Sequence, residues 1–243
     1  MTRNTNARVA GLAYLVYIGA AFPSMLLSSR ATRGDGNAAQ LATMAQHAGD
    51  VRLSAILALI GCFCALVLAF MLFAVTRDED NDLAMLGLTC RVAEGITGAV
   101  GIPGTLALLT LATASGSSAP NAEAAQAIGA FVLRQSSAVG ATFFAVGSSA
   151  FCWLLLRGRI IPLPLAWLGV VASVLLVVAL PLQMGALLHA PVTDLIWVPM
   201  AAFEIPVAFW LLIKGVAPPR ATVRADPLVR PPALSRERAQ RGG

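Results

Sequence analysis

The sequence predicts an all-α fold, a polytopic bundle of six transmembrane helices with two short outer amphipathic helices. Two observations predict it. At 58% hydrophobic and 12% charged residues, the 243-residue chain is far more apolar than a soluble domain, so most of its mass belongs in spanning segments. The apolar residues fall into runs near 9–27, 53–75, 83–112, 138–156, 165–184 and 196–213, with nearly every charge in a tail or between runs. A helix needs about 20 apolar residues to cross a ~30 Å hydrocarbon core.

The first run, Val9 to Leu27, follows a polar segment with Arg3 and Arg8. It is too long for a signal-peptide core and no small-x-small cleavage site follows, so an uncleaved first helix is expected. Ser28 to Asp50 is a polar loop with a turn at Gly34-Asp35-Gly36. Asn37 then caps a short amphipathic helix with Leu41, Met44, Ala48 and Val51 on one face. Arg52 opens the second run, and Thr76 to Asp82, with Arg77 and four acids, makes a tight connection.

Leu83 to Ala114 would form ~48 Å of helix, more than one span needs. Its glycines (Gly95, Gly98, Gly101, Gly104) and Pro103 suit close packing and bending. Asn121 and Glu123 open a second short helix, with Ile128, Phe131 and Val132 as its apolar side and Arg134 near its end. The two halves of this layout form a loose repeat, each pair of runs enclosing a short helix. Gly140, Gly147, Ser148 and Ser149 in the fourth run permit close helix contact. The fifth and sixth runs follow, giving one transmembrane domain over 1–216. Residues 217–243 form a basic tail without apolar periodicity, expected to be disordered and cytoplasmic.

With the N-terminus inside, Lys and Arg number twelve in the inner segments and four in the outer ones. The positive-inside rule therefore puts both termini in the cytoplasm. Sixteen Arg against one Lys suggests a GC-rich bacterial genome, hence a bacterial inner membrane. The expected partner is the lipid bilayer, with anionic headgroups for the tail and a homo-oligomer left open. No nucleic-acid partner is expected, because no aromatic residue interleaves the basic ones of the tail.

Three charges break the apolar runs: Arg91, Glu94 and Glu204. Ionisable groups at membrane depth are costly and mark a functional or bundle-internal site. Counting ~1.5 Å per residue puts all three near mid-membrane, where an Arg with one or two carboxylates makes burial tolerable. The expected contact is Arg91 on the third span with Glu204 on the sixth. Pro199 and Pro206 flank Glu204 and would free the carbonyls of Leu195 and Ala202, making that helix locally polar. The alternative is an interfacial Arg91–Glu94 pair, with Leu83 to Cys90 as a surface helix. Arg52 and Arg134 are expected at interfaces.

Catalytic and metal motifs are absent, so no enzyme, metal or cofactor is expected. His47 and His189 are single and read as solvated or capping residues, the acids from Asp78 to Asp82 as a solvated loop, and Ser148-Ser149 as packing. Cys62, Cys64, Cys90 and Cys152 sit in apolar runs without ligand spacing and read as small hydrophobes. Two functions fit: a membrane protein binding or transporting a small solute or lipid at a polar centre between helices three and six, or a structural or regulatory one whose buried charges only fix packing.

Short motifs carry a family resemblance: Ala7 through Leu15, Val51-Arg52-Leu53, Cys90 through Glu94, Phe203-Glu204-Ile205, and Trp210 through Val216. In order and spacing they resemble the uncharacterised bacterial membrane family catalogued as domain of unknown function 4386, over about residues 7–216. The resemblance implies a six-helix membrane protein with no assigned activity, in which Arg52, Arg91 and Glu204 occupy positions where Arg, Arg and Glu recur. Glu94 departs from that pattern, where an uncharged residue such as Gln is commoner.

Overall fold

A computed structural model describes residues 1–114, 127–130, 138–188 and 192–217. All described elements are helices: α1 (Arg3–Ala31), α2 (Asn37–Gln46), α3 (Ala48–Thr76), α4 (Asn81–Thr113), α5 (Ala138–Arg157), α6 (Leu163–Met184), α7 (Val192–Leu195) and α8 (Val198–Ile213). Residues 127–130 are also helical, but most of the expected second short helix, with Arg134, lies outside the described residues. So do His189 and nearly all of the tail.

Five helices, α1, α3, α4, α5 and α6, are long and apolar enough to cross a membrane; α8 is apolar but has only 16 residues. The chain is thus a membrane protein. Helices α1, α3 and α4 run past their apolar stretches into polar residues, and local chemistry sets their ends. The Thr2 hydroxyl accepts from the Thr5 N–H to start α1, and an Asp80 carboxylate oxygen accepts from the Leu83 N–H to start α4. A short helix α2 forms but ends at Gln46, so Ala48 and Val51, expected on its apolar face, belong to α3; Gly36 precedes it at φ 91 and Asn37 is its first residue rather than its cap. A positive φ is cheap only for glycine, so the turn sets that start.

Packing passes from α1 to α3, α4, α5, α6 and α8, then back to α1, closing a ring. Glycines set the closest approaches. A methyl on Gly11 would lie 2.5 Å from the Leu212 nitrogen, fixing α1 against α8. One on Gly147 would lie 2.9 Å from Arg91 Cγ and 3.1 Å from the Gly87 oxygen, fixing α5 against α4. Outward-facing Leu12, Ile56, Phe63, Phe70, Val171 and Val178 are exposed, as a surface solvated by lipid requires.

The ring places α4 and α8 on opposite sides. Helices α1 and α6 flank α8, so a polar centre between the third and sixth runs is reached only by side chains pointing into the ring. At one end, Arg3 pairs with Glu79 at 3.4 Å and donates to the Val75 carbonyl, and Arg157 pairs with Asp80 at 3.3 Å. There the Val216 N–H donates to the Asn4 side-chain oxygen, bringing the ends of α1 and α8 together. Part of the acidic turn is thus engaged in helix-to-helix ties rather than simply solvated. Towards the other end, α2 lays Leu41 and Met44 on Leu108 and Leu109 of α4, with Ala31 and Val51 completing a small core.

Candidate functional site

Arg91 stands three turns into α4, 1% exposed, and is among the largest fully buried side chains among the described residues. It lies inside a helix that is continuous from Asn81 to Thr113, so Leu83 to Cys90 is not a separate surface helix. Its Nη1 is 2.8 Å from Glu94 Oε2, one turn along. The approach is close but off the N–H axis, so neither atom makes a directed hydrogen bond, and Nε and Nη2 have no acceptor either. The guanidinium carbon is 4.6 Å from the centre of the Phe144 ring of α5, which supplies a cation–π contact.

Glu94, 12% exposed, is the hinge of the site. One oxygen faces Arg91, and the other accepts from the Tyr17 hydroxyl of α1 at 3.3 Å. Glu204 is 8% exposed on α8, and its Oε1 has no partner. The expected contact between Arg91 and Glu204 is not made: among the described residues, Arg91's ion-pair partner is Glu94, the member that departs from the family pattern. The reason is the ring, in which opposite helices meet only through side chains reaching inward. Tyr14, Tyr17 and Arg91 remain within electrostatic reach of Glu204. A small enclosed void of about 10 Å³, room for one water-sized sphere, is lined by Arg91, Tyr14, Ser148 and the Phe203 and Val207 that flank Glu204.

Pro206 sits inside α8 and leaves the Ala202 carbonyl without its helical donor, two residues from Glu204. Pro199 does not act as expected. It occupies the first turn of α8, where no N–H is required, so it interrupts nothing.

Glu94 also faces a much larger space. A cleft of about 890 Å³ runs from Tyr17, Glu94 and Trp197 past Ser54, Thr97, Gly101 and Thr105 to Ser28, Thr32 and Gln40 at the α2 end. From Glu94 to Leu108 it follows α4 for ~21 Å. Its wall includes Val51, Ala55, Val100 and Ile102. Arg91 is not part of that wall; it stands behind Glu94.

Of the other expected residues, Arg52 is exposed on the second turn of α3, and His47 caps α2, with Nδ1 3.1 Å from the Thr43 oxygen. Ser148 is buried at the α4–α5 contact, and Ser149 donates to the Ala145 carbonyl. Cys90 and Cys152 are buried, Cys62 and Cys64 partly so, and none of the four forms a disulfide. Tyr17, Phe144 and the hydroxyl lining were not singled out from the sequence. The signal for Tyr17 was the buried stripe Ala7-Ala10-Gly11-Tyr14 at helical spacing, whose face Tyr17 continues.

The family model described as Domain of unknown function (DUF4386) matches residues 9–215. No curated protein and no solved structure matches the chain.

Proposed function

We propose that this chain, which belongs to the family described as Domain of unknown function (DUF4386), is a six-pass membrane protein that binds or moves a small solute or lipid in its cleft. The observation that carries the reading is the cleft of about 890 Å³ ending on a buried carboxylate–guanidinium pair. Small-molecule sites are concave, largely apolar, ~300–1,000 Å³, and fixed by a few polar groups. Ionisable groups at membrane depth cluster on substrate paths. The pairing of Asn4 with Val216 supports an even number of crossings and so counts α8 as the sixth. The charge bias of the loops supports an inner-membrane orientation with both termini cytoplasmic and the α2 end outside.

Gly101 supplies the test. It lines the cleft, and an added Cβ there meets nothing within 4 Å, so a large side chain enters the cleft without disturbing helix packing. A small-solute and lipid panel is scored by thermal stabilisation of the purified protein and of Gly101→Phe. Ligands that stabilise the parent but not the plugged variant are the expected result. Equal stabilisation of both would refute binding in the cleft.

One observation favours the second reading, in which the charges only fix packing. Arg91 and Glu94 lie one turn apart on a single helix and Phe144 covers the guanidinium, so the pair is largely self-contained. In that case Gly101→Phe and the parent respond alike to every ligand.

A further inference from the structure

The hydrogen bonds of the cleft wall say what kind of head group it takes. Ser24 donates its hydroxyl proton to the Ser54 carbonyl and Ser54 to Val51. Thr32 donates to Ser28, Thr97 to Ala93, Thr105 to Gly101, and Tyr17 to Glu94. Each of these protons is already directed at a protein oxygen. What such a hydroxyl can still offer is lone pairs. At the foot stands the Glu94 carboxylate, and no Lys or Arg lines the cleft among the described residues. Between Glu94 and Thr105 the hydroxyls of the wall therefore offer acceptors, beside one anion and two aromatic rings, Tyr17 and Trp197; the donors it keeps are the Trp197 indole N–H and, at the α2 end, Ser28 and Gln40.

The pair behind the wall points the same way. Arg91 stands 2.8 Å from Glu94, but Glu94 Oε2 receives no directed hydrogen bond. An ammonium donating to Glu94 from the cleft would supply one. Resting on the binding role proposed above, we propose that the cleft takes an amphiphilic amine, its ammonium on Glu94 and its apolar body along Val51, Ala55, Val100 and Ile102. The aromatic faces of Tyr17 and Trp197 add to the attraction for a cation. A phosphate or carboxylate head group would meet lone pairs and a like charge.

Three eight-carbon probes differing only in head group test this: octylamine, octanol and octanoate. Saturable binding of each to the purified full-length protein and to Gly101→Phe is measured by calorimetry in detergent. Octylamine is expected to bind at least ~tenfold more tightly than octanol, with octanoate weakest and all three lost in Gly101→Phe. Octanol or octanoate binding as tightly as octylamine, and still blocked by Gly101→Phe, overturns the amine assignment while leaving the cleft a binding site. Binding of none, or binding indifferent to Gly101→Phe, overturns both. Glu94→Gln should bring octylamine down to the octanol level without changing octanol; the comparison among probes on the unaltered protein stands even if that variant does not fold. Sphingosine, a single-chain lipid amine without a phosphate, distinguishes the source. Its displacement of octylamine assigns the amine to a lipid, and failure to displace assigns it to a short free amine.

Discussion

At the scale of single residues, the site turns on which carboxylate neutralises Arg91. The geometry gives that part to Glu94, at 2.8 Å on the same helix. Truncating Glu94 to Leu leaves a guanidinium stranded in the interior, which should cost ~3–5 kcal/mol in detergent-solubilised unfolding. The double variant Arg91→Leu/Glu94→Leu removes both charges and should be more stable than Glu94→Leu alone; a double variant below both singles would contradict the pairing. Tyr17→Phe loses a hydrogen bond to a charged group and should cost ~1.5–3 kcal/mol by the same measurement. That three charges interrupt the apolar runs was legible from the order of residues along the chain. Which two of them pair was not, because spacing along a helix places Arg91 and Glu94 on one face but says nothing of where the opposite helix delivers Glu204.

At the scale of helices, small residues decide the approaches. Gly11 faces the α8 backbone, where an added methyl would be 2.7 Å from the Ala208 oxygen, whereas the same methyl on Gly19 of that helix meets nothing within 4 Å. Gly11→Ala should therefore destabilise by ~1–3 kcal/mol through overpacking, while Gly19→Ala is neutral or stabilising by up to ~1 kcal/mol from helix propensity. Thermal midpoints of the two variants check the contrast; equal effects would mean that α1 and α8 are not packed as described. The runs gave each helix its position, since twenty apolar residues flanked by charges leave little choice. Helix ends were less legible: α1 reaches Arg3 and α3 begins at Ala48, because polar residues can extend a helix beyond the apolar stretch at no penalty from lipid. Pro199 shows the converse, a residue read as a breaker that becomes harmless once the helix starts beside it.

For the molecule as a whole, the order of helices around the ring is what the sequence withheld. Hydropathy counts segments and charge bias orients them, but neither states that α4 and α8 lie opposite one another, nor that a cleft opens beside α4. That space follows from the glycines and hydroxyls along α4, which leave the cleft side short of bulky side chains. The arrangement puts the α1 start and the α8 end together, so single cysteines at Asn4 and Lys214 in a cysteine-free background should react with an impermeant thiol reagent from the same side of the membrane, and one at Arg33 from the other. The central claim is that water and solute reach the buried Arg91–Glu94 pair along that cleft. It is tested most directly by a cysteine at Thr97, on the cleft wall one turn beyond Glu94, challenged from the α2 side with the same reagent. The account predicts that Thr97→Cys reacts at mid-membrane depth and that adding Gly101→Phe slows the reaction at least ~tenfold, the rate equivalent of ~1.4 kcal/mol. A Thr97→Cys that stays silent while Arg33→Cys reacts would contradict it.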